Sequence, residues 1–180
     1  MAVANGMTAV AALLQAEPLT VEEQFVAACA SANELEARRL LRENPDIVAR
    51  LSESQLQQLP LLTAAGNDDA VRLMVELGWP IKVKAGDWQA SAINQAVFAG
   101  NSKLARFLLE HGSSWTEEHG YGDNVNGTLS WASHNMSPEN DYVGCARALI
   151  DHGMPIENLD GDYGDAVEAF LDAERKKRGA

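Results

Sequence analysis

The chain has 180 residues, 46% of them hydrophobic, which is enough for one continuous core and too few for two independent domains. Its 26 acidic residues against 14 Lys and Arg give a formal charge of -12, which repels phosphate backbones and anionic lipid and excludes nucleic acid and membrane from the expected partners. No apolar stretch is long enough to span a bilayer and the first residues lack a basic leader, so the expected location is cytoplasmic.

Residues 8–16 form an apolar helical run stopped by Glu17-Pro18, and Thr20-Val21-Glu22-Glu23 is a capping box that opens a helix over 21–31. Phe25, Ala28 and Cys29 share one face of that helix. Leu35, Leu40 and Leu41 mark the inner side of the next, which Asn44-Pro45 ends. A second pair over 53–65 and 69–77 sets Leu59, Leu62 and Ala65 against Val71, Met74 and Val75. A third over 91–99 and 103–110 sets Ile93, Ala96 and Val97 against Leu104, Phe107, Leu108 and Leu109. The small residues Ala64-Ala65-Gly66 and Ala99-Gly100 let the paired helices approach across a short turn. Gly78, Gly112 and Gly153 follow the last apolar turn of a helix, where positive φ caps the terminal carbonyls, and His111 and His152 sit just before two of them. In a fourth pair, Ser137-Pro138-Glu139 predicts a second helix over about 138–151, with Ser as cap and Pro in the first turn. Asp165 with Glu168 predicts the cap of a closing helix over 165–178, whose Val167, Phe170 and Leu171 cover the last pair before a solvated basic end. Cys29 and Cys145, far apart in alanine-rich helical phrases, read as two buried thiols.

These pairs repeat one phrase. Asn33…Arg38…Leu40-Leu41 is followed by Gly66-Asn67…Arg72…Met74-Val75…Gly78 and by Gly100-Asn101…Arg106…Leu108-Leu109…Gly112, so that Asn33, Asn67 and Asn101 stand at one constant period. A fourth copy ends in His152-Gly153, later than the period running through Gly78 and Gly112 would place it. Two helical patterns closed by Gly at such a period form one supersecondary unit that buries its apolar face only by stacking. The units resemble ankyrin repeats, best in Ser91–Asn101 through Leu108–Gly112 and in Thr128–Ala132 through Leu149–Gly153. Asn94 and Ser130 stand where that pattern has His, and the Thr-Pro-Leu-His phrase is incomplete in every copy. The resemblance implies an all-α, ankyrin-like solenoid of stacked helical hairpins with long inter-repeat loops, forming a single domain over 1-180. The approximate units are 21-52, 53-86, 87-122 and 123-159, with a capping helix over 165-178. It also implies a non-catalytic protein-protein interaction module that binds through loop tips and the concave helix face.

Two insertions interrupt the period. Residues 115–126 form a Gly-rich loop with Trp115 and Tyr121, and residues 134–142 widen the turn of the fourth unit; both are expected near one end of the solenoid. Large rings recur at the handovers between units. Trp79 and Trp115 read as covers for repeat-to-repeat contacts, Trp88 and Tyr121 as exposed anchors, and Trp131 as belonging to either the core or the concave surface. The candidate protein-binding residues are therefore Trp88, Trp115, His119, Tyr121, Asp123, Trp131 and Tyr142. The partner is an unidentified protein, with a basic patch to complement the negative field. A monomer is expected, with a closed homodimer as the alternative. Neither cofactor nor metal is assigned: the His and Cys spacing fits no zinc pattern, no phosphate-binding Gly-rich loop precedes a Lys, and Asp160–Asp165 lacks the late glutamate of a calcium loop. The alternative function is a small hydrolase or metal-dependent enzyme with its site between the two insertions, using His119 or His134 as base and Asp123 or Asp141 to orient it.

Overall fold

The computed structural model describes residues 18–156 and 161–179. The helical run expected over 8–16 lies outside the described residues. The described chain is mostly helical: α1 (Val21–Ala30), α2 (Glu34–Glu43), the short α3 (Ile47–Arg50) and α4 (Glu53–Leu56), then α5 (Gln58–Ala64) and α6 (Asp68–Glu76). A two-stranded antiparallel hairpin, β1 (Lys84–Ala85) and β2 (Ala90–Ser91), leads into α7 (Ala92–Phe98) and α8 (Ser102–Glu110). The chain continues through α9 (Val125–Asn135), α10 (Tyr142–Asp151) and α11 (Asp165–Arg178).

Helices α1 and α2, α5 and α6, α7 and α8, and α9 and α10 pack as successive pairs. Between pairs, α5 packs on α7 and α7 on α9, while α6 packs on α8 and α8 on α10, so two helical layers run side by side. Helix α11 closes the series against α10. The core lies between the layers, where Ile93, Leu104, Leu108, Leu129 and Leu149 are fully buried. Phe25, Leu59 and Met74 continue it toward the first pair.

Local chemistry explains the helix starts. Thr20 Oγ1 accepts from Glu23 N at 3.2 Å while Glu23 Oε2 accepts from Thr20 N at 2.8 Å, completing the expected capping box. The second helix of three pairs is capped by a short polar side chain: Asn33 accepts from Glu36 N, Asn101 from Leu104 N and Asp141 from Gly144 N. The last of these corrects the fourth pair. Its second helix starts at Tyr142, not near residue 138, because Asp141 takes the capping position and Ser137-Pro138 is spent in a turn closed by Asn140 N to Ser137 O. In α11 the cap is Gly164, not Asp165: the Gly164 carbonyl accepts the first helical bonds, and its N–H is held by Ser133 Oγ at 2.9 Å.

Burial differs from the periodic reading at three places. Leu35 is 83% exposed, since it lies five residues before Leu40 and so on another face of α2; Ala37 is buried in its stead. Ala65 is exposed, and Thr63 takes the inner position with its hydroxyl donating to Leu59 O at 2.8 Å. In α11 the buried side chains are Val167 and Leu171, whereas Phe170 is half-buried beneath the Arg147 guanidinium.

The two turn glycines have different reasons. Both are left-handed, with φ of 75° at Gly66 and 63° at Gly100. A Cβ on Gly66 would touch nothing within 4 Å, so backbone conformation alone favours Gly there, not the close approach expected from the small residues. At Gly100 a Cβ would fall 2.5 Å from Asn140 Cβ, so the widened turn of the fourth pair leans directly on it. Cys29 and Cys145 are buried free thiols, and burial pushes both up to about 12.

Candidate functional site

Three elements meet beside the third and fourth pairs. The β-hairpin carries Trp88 at its tip, next to Gln89, whose φ is 48° and whose amide donates to Gly86 O at 2.9 Å. The segment between α8 and α9 folds back onto that tip, with Gly120 N donating to Trp88 O at 2.7 Å. A tight loop follows, in which His119 N donates to Asp123 O at 2.9 Å and Gly122 N to His119 O at 3.0 Å. Beneath it lies Asn94, fully buried in α7. Its amide donates to Glu117 O at 3.1 Å, and its Oδ1 accepts from the Thr128 hydroxyl at 2.7 Å. This one side chain ties α7, the loop and α9 together, as a buried polar group must when every partner is supplied by protein.

The rings form a chain around the opening. Trp131 stacks on Phe98 with centroids 5.6 Å apart and planes 9° from parallel. Phe98 meets Trp88 at 5.4 Å, Trp88 meets His119 at 5.2 Å, and His119 meets the edge of Tyr121 at 5.9 Å. The two ends of this chain are open to solvent, Tyr121 at 78% and Trp131 at 52% exposure. Trp88 and Phe98 are half-buried between them. Together they line a cavity of about 540 Å³. Its remaining wall is Asp123 and the first turns of α9 at Gly127 and Thr128.

Asp123 is held in place by its neighbours. Its Oδ1 accepts from Asn124 N at 2.7 Å, and the carboxylate fills the space over Gly127, where a Cβ would collide with it. Burial holds the His119 imidazole below the ordinary histidine range, Asp123 opposes that shift, and Lys84 adds to it. Its Nδ1 accepts from Tyr121 N at 3.3 Å, which requires a free lone pair on that nitrogen.

A second cavity of about 460 Å³ adjoins the first, with Trp131, Asp123 and Gly127 common to both. There His134 Nε2 lies 3.3 Å from Asp162 Oδ1, and the Ser130 hydroxyl donates to Asp162 O at 2.5 Å. Tyr163, buried behind this segment, anchors it by donating to Asn126 Oδ1 at 2.6 Å.

Of the residues expected to bind a partner, Trp88, His119, Tyr121, Asp123 and Trp131 come together in the first cavity. Trp115 does not line it and is half-buried against the core. Tyr142 is corrected: it is 5% exposed, with its hydroxyl donating to Phe98 O at 3.0 Å, so it steadies the end of α7 from inside. For the enzymatic alternative, Asp141 is engaged in capping and accepts the Ser102 hydroxyl at 2.6 Å. Among the described residues the histidine side chain paired with a carboxylate is His134, and its partner is the exposed Asp162, not Asp123 or Asp141. The described residues contain no group of three or more His, Cys, Asp and Glu placed to hold a metal ion. None of the described helices is long and apolar enough to cross a membrane.

Two residues join the site beyond those expected. Phe98 occupies the position that Ala64 holds in the preceding unit, counted from Asn101 and Asn67, and this large-for-small exchange is the one signal the sequence offers for it. Asn94 is signalled only as a polar residue in an apolar helix, at the position already singled out in the repeated phrase. No protein-family model matches the chain, and comparison with curated proteins gives no significant match.

Proposed function

We propose that the chain is an ankyrin-like solenoid acting as a non-catalytic protein-interaction module, which grips its partner between the Trp88 hairpin, the 115–126 loop and α9. One observation carries this reading: rings from four separate elements converge on one open cavity, and the outermost two, Tyr121 and Trp131, leave much of their surface in water. Exposed aromatic surface next to a rigidly tied loop is what an interface anchor needs, because ordering is already complete before the partner arrives. The formal charge of -12 favours a partner with a basic patch by speeding encounter. The constant period of Asn33, Asn67 and Asn101 and the paired helical layers support the ankyrin-like assignment. The hydrolase alternative has less behind it, since the side chains of His119 and His134 meet neither Asp123 nor Asp141: His119 Nδ1 accepts from Tyr121 N, and His134 lies beside the exposed Asp162.

The experiment is affinity capture from a lysate by the wild type and by Tyr121→Ala and Trp131→Ala, followed by measured binding of whatever the wild type retains. Both variants are expected to lose the partner. Retention at wild-type affinity by both would reject this face.

A further inference from the structure

Resting on the protein-binding reading above, the chemistry of the cavity narrows what part of the partner enters it. Its lining is four aromatic rings, the His119 imidazole and a single carboxylate. Ring faces carry negative potential, Asp123 adds a full charge, and the -12 of the whole chain deepens the field, so the cavity selects a cation. The kind of cation follows from the shortage of acceptors. A primary ammonium brings three N–H donors and a guanidinium five. Against these the cavity offers one carboxylate, Asp123, with Oδ1 accepting from Asn124 N and Oδ2 left to receive a single donor, and the Thr128 hydroxyl, already committed to Asn94. The donors turned toward the four rings would give up water for no acceptor, so each of them weakens the cation that carries it. A fully alkylated ammonium has no N–H to satisfy, and its methyl groups present positive charge directly to ring faces. The volume of about 540 Å³ also accommodates the aliphatic stem of the side chain that carries it.

We infer that the cavity binds a trimethylated lysine side chain of a partner protein, with Tyr121 and Trp131 as outer walls, Trp88 and Phe98 as inner walls and Asp123 as the counter-charge. The test uses the full chain and three short peptides of otherwise identical sequence. One carries trimethyllysine, one unmodified lysine, and one the uncharged carbon isostere of trimethyllysine. Tetramethylammonium is the probe for the cavity alone, read through the indole N–H resonances of Trp88 and Trp131. The trimethyllysine peptide is expected to bind at least about tenfold tighter than either of the others. Asp123→Asn and Trp131→Leu are each expected to weaken it about fivefold or more, and Trp131→Phe, which keeps a ring face, to retain most of the affinity. Circular dichroism melts establish that each variant is folded.

Equal binding of the isostere would show that shape, not charge, is recognised and would overturn the inference. Equal binding of the lysine peptide, or tetramethylammonium leaving both indole signals unmoved, would overturn it as well. If free tetramethylammonium binds as tightly as the trimethyllysine peptide, a small-molecule ammonium is the ligand and the side-chain assignment fails. A captured partner that depends on Tyr121 and Trp131 yet is not displaced by the trimethyllysine peptide would sink this inference while leaving the protein-binding reading intact.

Discussion

Trp79 and Trp131 are the same residue in two fates. Trp79 follows Gly78, is 3% exposed, stacks on Phe25 at 5.8 Å and donates its indole N–H to Leu56 O at 3.0 Å. Trp131 also stacks on a phenylalanine, yet half of it remains in water and it borders two cavities. The difference lies in what the neighbouring unit supplies. The α1–α6 packing closes over Trp79, whereas next to Trp131 the inserted loop bends toward Trp88 and leaves the ring uncovered. Aromatic content therefore does not separate core from binding surface in this chain, but coverage by the adjacent pair does.

Substitutions can break this contrast in order of size. Trp79→Ala should cost about 3–5 kcal/mol of stability, as deletion of a buried aromatic does, and leave partner affinity unchanged once the folded fraction is corrected for; chemical denaturation with parallel binding measurements checks both. Asn94→Ala should cost about 2–3 kcal/mol by orphaning the Thr128 and Glu117 ends of its network. It should also speed amide exchange through 117–124, because the loop loses its tie to α7. Trp131→Ala should cost only about 1 kcal/mol in a melt, the value of one exposed aromatic pair, and nevertheless abolish capture of the partner. A Trp131→Ala variant as unstable as Trp79→Ala would erase the contrast.

The smallest effect is a pH dependence. The His119 pKa is lowered in the folded chain from an ordinary value of 6.5, so above that pH both folded and unfolded chains hold it neutral and it contributes no slope. As pH falls through 6.5 the unfolded chain takes up the proton first and stability declines, levelling once the folded imidazole is protonated. Comparing denaturation of the wild type with His119→Phe between neutral pH and about pH 5 should show a shallower decline in the variant. An identical decline in both would mean His119 is not desolvated by the loop.

The elements legible in the sequence are those governed by local chemistry. The Thr20–Glu23 box, the positive φ of Gly78, Gly112 and Gly153, and the apolar faces of α6 and α8 depend on residues within one or two turns, and their spacing reveals them. Leu35 reads as an inner residue only while its apolar identity outweighs its angle on the helix. Tyr142 reads as a surface ring because it adjoins an insertion, whereas Asp141 begins a helix that turns it inward. Within the site, the ring-bearing loop positions are suggested by composition. Their convergence is not, because it depends on Asn94 reaching Glu117, 23 residues away in the inserted loop, and Thr128 in the next pair, side-chain contacts that no spacing within a helix reveals. Phe98 joins the site through the same tertiary placement.

A partner seated on the Tyr121–Trp131 face would lie against position 121 and away from α2. Leu35, 83% exposed in α2, is an equally accessible apolar residue outside the cavity, and Tyr121 is 78% exposed within it. Placing a photo-crosslinking amino acid at each position in turn and irradiating in the cell compares the two faces even while the partner is unidentified. A discrete protein adduct is expected from position 121 and none from position 35. An adduct from position 35 with none from position 121 would contradict the placement of the partner on the aromatic cavity.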